Sequence, residues 1–358
     1  MPDENKILTV SASPHVKSKD STQRIMLDVV IALIPAGLAG CFIFGGKALL
    51  VIGLCVFFSV LFEYLSRKIM KRSNTLGDLS AVVTGLLLAY NIPVLDVAKF
   101  DGKTWKATVM TVFLCLIGSF FAIVVTKQFF GGLGQNFANP AIVGRIVLLV
   151  SFPSAMTAFT VPKAAVDAVT SATPLGVLSD ASLFDRAGDI GAQLTQLSGD
   201  GYLPDLFSMF IGVKGGCIGE VSGLLILLGG FYLLMRGVIS PAIPVSFIGT
   251  VSVFMLIAGK GNLSFVAYEL LGGGLLLGAI FMATDYTTSP ITVKGKIIFG
   301  IGCGVICSVI RLFGSMAEGV SYAILLMNIA CPLIEMLTKP RPFGVEKTKK
   351  SKKEGNAA

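Results

Sequence analysis

The chain has 358 residues, 54% of them apolar and only 14% charged, with a mean hydropathy of +0.81. A soluble domain carries about 25% charged residues, so a water-soluble globular protein is excluded. A formal charge of +8 on so apolar a chain points to membrane topology rather than to nucleic acid binding.

Residues 1–23 are polar and mixed in charge. They lack an apolar core followed by a small-residue cleavage site, which predicts a cytoplasmic tail rather than a cleaved signal. Beyond them, apolar runs such as 25–44, 48–62 and 109–125 approach the ~20 residues that carry a helix across ~30 Å of hydrocarbon. Charged and Gly/Pro-rich breaks predict ten spans, near 24–44, 47–66, 78–95, 106–127, 139–156, 217–236, 240–258, 262–282, 296–314 and 319–338. Five fall in a first membrane half over 24–156 and five in a second over 217–338. An extramembrane loop and re-entry segment occupies 157–216, and a basic tail occupies 339–358. The odd span count makes the halves run in opposite directions, so the predicted fold is an all-α polytopic membrane protein of two inverted five-helix halves.

With the N-terminus inside, 20 of the 29 Lys/Arg residues lie on the cytoplasmic side, Lys127, Arg145, Arg236, Lys294 and Lys296 among them. This bias predicts cytoplasmic termini and an extracytoplasmic loop, with the lysines of 347–353 meeting anionic lipid. The halves also echo each other. Asn136-Phe-Ala-Asn139-Pro140 precedes span five, and Asp285-Tyr-Thr-Thr288-Ser289-Pro290 precedes span nine. Each is a polar stretch closed by a proline, where a helix must break. The seven cysteines mostly lie within predicted spans and read as buried free thiols. Cys303 and Cys307 are four residues apart, but with His15 the only histidine no metal site is expected.

Ionisable residues in or beside spans are costly and are functional candidates: Asp28, Asp78, Glu220 and Asp285 are the candidates for an ion path. Thr84 and Gly85 read as helix-packing positions. In the loop stands Asp167-Ala-Val-Thr170-Ser171-Ala172-Thr173-Pro174-Leu175-Gly176. Thr173 followed by proline is a good helix start, with threonine as N-cap and proline at the first helical position. The proline also holds Thr173 extended, which presents its hydroxyl on an exposed loop.

The run Asp-x-x-Thr-Ser-Ala-Thr resembles the acceptor sequence of flavin transferases, in which the phosphate of FMN is joined to the last threonine. Together with Asp78-Leu-Ser-Ala-Val-Val-Thr84-Gly85, Gly131-Gly-Leu-Gly-Gln-Asn136, Gly219-Glu220-Val-Ser-Gly223 and Phe281-Met-Ala-Thr284-Asp285, it makes nearly the whole chain similar to one family. That family comprises the membrane D subunits of Rnf complexes and the related B subunits of sodium-pumping quinone reductases. The polar segment ahead of the first span resembles the shorter one of the Rnf members.

The resemblance implies FMN esterified to Thr173, with Asp167, Thr170, Ser171 and Ala172 as the acceptor motif. Ser171 stands where the motif more commonly has glycine. It also implies a second, non-covalent flavin, riboflavin, in the membrane part, for which Asn136, Asn139, Thr284, Asp285 and Thr288 are the candidate flavin or ion ligands. The implied setting is a bacterial or archaeal plasma membrane and a complex that passes electrons between ferredoxin and NAD while moving Na+ or H+. The partners implied are membrane subunits A and E, flavoprotein G, the ferredoxin- and NADH-facing subunits B and C, and a flavin transferase. Two alternatives stay open on the sequence: the quinone-reductase subunit, and a flavin-free small-solute channel, since hydropathy alone does not separate a redox subunit from five-plus-five channel folds.

Overall fold

The computed structural model describes residues 21–95, 104–157, 159, 173–180, 184, 188–212, 214–314 and 318–340. Among these the structure is helical, and one isolated bridge, Leu95 to Phe159, is the sole β pairing. The first half holds α1 (Thr22–Phe44), α2 (Gly46–Ile69), α3 (Ser80–Tyr90), α4 (Thr104–Phe120, continued as a π-helical stretch Phe121–Gln128), α5 (Pro140–Ser151) and the short α6 (Pro153–Met156). Then come α7 (Pro174–Ser179), α8 (Ile190–Gly199) and α9 (Leu206–Ile211). The second half holds α10 (Gly223–Met235), α11 (Ala242–Ala258), α12 (Leu263–Leu271), α13 (Leu275–Leu277, continued as a π-helical stretch Gly278–Met282), α14 (Val293–Phe313) and α15 (Val320–Thr338).

Every predicted span coincides with an apolar helix or a pair of them, but the helices differ in reach. Five are long and apolar enough to cross a membrane alone: α1, α2, α4 with its π-helical end, α14 and α15. A sixth span is completed when α12 and the Leu275–Met282 helix, bent by 67° from each other, are taken together. The other four, α3, α5, α10 and α11, have 11 to 17 residues and, at about 1.5 Å per residue, fall short of ~30 Å. Non-α-helical backbone at 91–95 follows α3, that at 217–222 precedes α10, and that at 272–274 separates the two arms of the bent pair. Nearly all of it is buried, as it must be, because hydrocarbon offers no hydrogen-bond partners.

Local chemistry explains the breaks. Asn139 caps α5 by accepting from the Ala141 and Ile142 amides at 3.0 and 3.4 Å, with Pro140 at the first helical position. Thr292 caps α14 through the Gly295 amide at 3.0 Å, two residues after Pro290. The halves meet where α1 packs on α10 and α5 on α15. Close approaches rest on small residues: a Cβ on Gly85 in α3 would lie 2.8 Å from Val56 Cα and 3.0 Å from the Cys55 carbonyl oxygen of α2. That supports the packing role read for Gly85, while the Thr84 hydroxyl turns back to the Ser80 carbonyl at 2.9 Å. Phe42, Phe57, Ile257, Phe313 and Leu337 lie on an exposed apolar surface suited to lipid or membrane partners. Six of the seven cysteines are buried free thiols and Cys41 is half-buried.

Candidate functional site

Thr173 is extended (φ −71°, ψ 155°) and half-buried, and its Oγ1 accepts from the Gly176 amide at 3.2 Å as the N-cap of α7. The helix start foreseen from Thr173-Pro174 therefore forms. Asp167, Thr170, Ser171 and Ala172 lie outside the described residues. Leu175 carries α7 onto the Gly272-Gly273-Gly274 break of the bent span. A Cβ on Gly272 would lie 2.9 Å from Leu175 Cγ, and one on Gly273 would lie 2.6 Å from Leu175 Cδ1. Gly273 has φ +61°, a conformation glycine adopts without strain.

Below this break lies a buried charge cluster. The Arg145 guanidinium, in the middle of α5, reaches Glu220 at 3.4 Å and donates to Glu318 and to Asn91 Oδ1. Arg311 bonds Glu269 Oε2 at 3.2 Å and the backbone carbonyls of Glu269 and Gly272 at 2.5 and 3.4 Å. Lys214 donates to the Leu271 carbonyl. Arg311 and Lys214 thus satisfy the carbonyls that end α12, where a helix leaves acceptors without partners and a negative dipole end. Three cations and three carboxylates balance in formal charge. The glycine break touches them directly: a Cβ on Gly274 would lie 2.9 Å from Glu220 Oε1 and 3.4 Å from Arg145 Nη1.

The opposite ends of the helices gather around an open-mouthed cavity lined by residues that include Ser80, Thr84, Lys127, Asn136, Asn139, Thr284, Asp285 and Thr287. The ends that form it, from α1, α3, α4, α5, α10 and the Gly278–Met282 segment, are those the charge bias assigns to the cytoplasm. Here the two polar stretches of the sequence echo meet. Asn136 Nδ2 donates to Thr287 Oγ1 at 3.0 Å, and Asn139 Nδ2 donates to the Met282 carbonyl at 3.1 Å. Asn328 of α15, in the amide orientation that suits its neighbours, joins the Thr288 carbonyl to the Asn139 amide at 3.1 Å each. Asp285 Oδ2 accepts from Thr287 and Thr288 at 3.0 and 3.2 Å, and Thr284 bonds the Ile280 carbonyl at 2.6 Å.

The fold thus brings four of the five sequence-named ligands to one cavity, with Thr288 held to it through Asp285; Thr287 is an addition. Asn136 Oδ1 is buried without a hydrogen-bond partner, a costly state that marks it as ready for a donor. Asn91 ties this cavity to the charge cluster, since it accepts from Arg145 and its Nδ2 lies 3.6 Å from Met282 Sδ.

The four acids of the proposed ion path do not share one place. Asp285 lines the cavity and Glu220 belongs to the charge cluster. Asp28 bonds Tyr232 at 2.8 Å and Arg236 at 3.0 Å across the α1–α10 contact, and Asp78 bonds the Ser80 amide and hydroxyl at 2.8 and 2.5 Å. One charge is misplaced by counting along the sequence: Arg145, grouped with the cytoplasmic cations, is buried inside α5 as the partner of Glu220 and Glu318. Removing the buried Arg67, Lys127 and Arg145 from the inner 20 leaves 17, and removing the buried Lys214 and Arg311 from the outer nine leaves seven, so the bias survives. Glu63, Asn91, Glu269, Arg311, Glu318 and the ion-pairing role of Lys127 escaped sequence reasoning. The three consecutive glycines inside an apolar run were the available signal for the break.

The family model described as the NQR2, RnfD, RnfE family matches residues 9–344. The chain is 44% identical over 348 residues to the D subunit of the Na(+)-translocating ferredoxin:NAD(+) oxidoreductase complex of Acetobacterium woodii, covering 97% of this chain and 98% of that protein. It is 41% identical to the D subunit of the proton-translocating ferredoxin:NAD(+) oxidoreductase complex of Clostridium ljungdahlii, covering 96% and 98%. Identity is 36% to the D subunit of the ion-translocating oxidoreductase complex of Stutzerimonas stutzeri, covering 91% and 93%. With its helical architecture and this end-to-end similarity, the chain belongs to the NQR2, RnfD, RnfE family.

Proposed function

We propose that this chain is the flavin-carrying membrane subunit of an ion-translocating ferredoxin:NAD oxidoreductase complex, incomplete as a catalyst alone. The observation that carries this reading is similarity over nearly the full length of relatives bearing that activity in their names. In this reading FMN is esterified to Thr173 by a flavin transferase on the extracytoplasmic side, and both termini are cytoplasmic. Riboflavin occupies the inner cavity without a covalent bond. Membrane subunits A and E, flavoprotein G and the ferredoxin- and NADH-facing subunits B and C complete the complex.

The residues present suit both groups. Thr173 offers a half-buried hydroxyl on extended backbone, ahead of a helix anchored by Leu175. The inner cavity has a mostly apolar wall with a few convergent polar groups, the make-up of a ligand pocket, and its unpartnered Asn136 Oδ1 is an acceptor that the imide N–H of a flavin ring would satisfy. Bound flavin supplies one- and two-electron carriage. The protein's part is placement, because direct electron transfer over ~30 Å of hydrocarbon is too slow for turnover and calls for carriers at intermediate depths. A line of neighbours runs between the two places: Leu175 and Glu318 both crowd the space where Gly273 lacks a side chain, Glu318 is bonded through Arg145 to Asn91, and Asn91 leads through Met282 to Asn139.

The test is a denaturing gel of the chain purified from cells that possess the transferase, viewed under ultraviolet light. The wild-type band fluoresces and the Thr173→Ala band does not. A dark wild-type band overturns the covalent flavin.

A further inference from the structure

Lys127 closes the π-helical end of α4, is 2% exposed, and lines the inner cavity. Its ammonium donates to Glu63 Oε2 at 2.6 Å and to Ser80 Oγ at 2.6 Å. Glu63, on α2, is fully buried, takes a second bond from Thr75 Oγ1 at 3.0 Å, and is not part of the cavity wall. Ser80 is anchored in turn by donating to Asp78 Oδ1 at 2.5 Å. The pair is therefore oriented, with its cation on the cavity side and its carboxylate behind. A buried ion pair is weak as a source of stability, since apolar residues of similar volume often serve as well. Charged groups at membrane depth are functional candidates by default.

We propose that Lys127 is the cation that sets the redox potential of the untethered flavin in the inner cavity, and that Glu63 and Ser80 are its positioning residues. The proposal rests on the reading of that cavity as a flavin pocket. Each electron that enters the ring without a proton leaves a negative charge, and in a poorly solvated cavity a nearby ammonium favours that reduced form. Asp78 and Asp285 carry the same charge in parent and variants and Glu63 stands outside the cavity wall, so removing the ammonium lowers the potential. No bond forms or breaks; the equilibrium between oxidised and reduced ring shifts.

The experiment uses the full-length chain carrying Thr173→Ala, so that no tethered flavin contributes to the spectrum. Flavin released by acid is first quantified; then the midpoint potential of the bound flavin is titrated spectroscopically. Lys127→Met lowers the potential, and Lys127→Arg, which keeps the cation, holds it near that of the parent. Because Lys127→Met leaves Glu63 buried without its cation, the double variant Lys127→Met/Glu63→Gln is measured as well. It carries no stranded charge and still gives a potential below the parent. A parent that releases no flavin overturns the pocket reading itself. Bound flavin whose potential is unmoved in the Met variants, or moves equally in the Arg variant, overturns the role of Lys127 and leaves the pocket intact.

Discussion

Replacing Arg145 by methionine tests the charge cluster beneath the glycine break. Arg145 is the shared partner of Glu220 and Glu318, whose side chains are 1% and 19% exposed, and it also donates to Asn91 Oδ1. The variant leaves two cations, Lys214 and Arg311, against three carboxylates. Breaking a buried pair by removing one member costs about 3–5 kcal/mol, and the stranded Asn91 acceptor adds about 1–3 kcal/mol. Against a total stability of roughly 5–15 kcal/mol, this is a large share, so Arg145→Met in detergent unfolds at a markedly lower temperature. Arg145→Met/Glu220→Gln restores equal numbers of cations and carboxylates and recovers part of the loss. The assay is thermal unfolding of the purified chain followed by size-exclusion chromatography. If Arg145→Met lies within about 0.5 kcal/mol of wild type, the range of ordinary surface changes, or if the double variant is no more stable than the single, the cluster is not the charge-balanced unit described.

Three further outcomes follow from topology and site assignment. A cysteine placed at Ala187 reacts with an impermeant thiol reagent added to intact cells, and labelling seen only after lysis reverses the orientation. Asp285→Asn and Glu220→Gln, in the assembled complex, each lower the number of ions moved per electron pair or slow electron transfer; unchanged coupled turnover in both removes these acids from the ion path. Asp28 is buried and accepts from Tyr232 as well as from Arg236; Asp28→Asn keeps an oxygen for Tyr232 and loses the charge pairing with Arg236, whose side chain is 46% exposed, so thermal unfolding shows a cost of about 1 kcal/mol.

Much of the architecture was legible because it depends on one-dimensional quantities. Apolar length between breaks located an apolar helix at each of the ten positions, five or six of them long enough to cross a membrane, and the Asn139-Pro140 and Thr173-Pro174 pairs marked two helix starts, since capping chemistry acts within three residues. The sequence echo was a true pointer in part: its polar residues meet at the inner cavity, whereas the basic residues that follow differ, Arg145 buried and Lys296 half-exposed. Charge counting misread Arg145 because composition does not distinguish a cation facing lipid headgroups from one folded against carboxylates 75 and 173 residues away.

What the sequence by itself determined is therefore the membrane class, the positions of the apolar helices, the family resemblance and the isolated threonine. All of these are properties of hydropathy, local capping and short motifs. Only the tertiary structure decided which apolar helices are cut short, that a triple-glycine break sits between the threonine's helix and a buried cluster of three cations and three carboxylates, and that a buried lysine lines the inner cavity. The reason is physical: a charge or an irregular turn at membrane depth is tolerated only where partners from other helices satisfy it, and partners distant in the chain leave no mark on the local pattern.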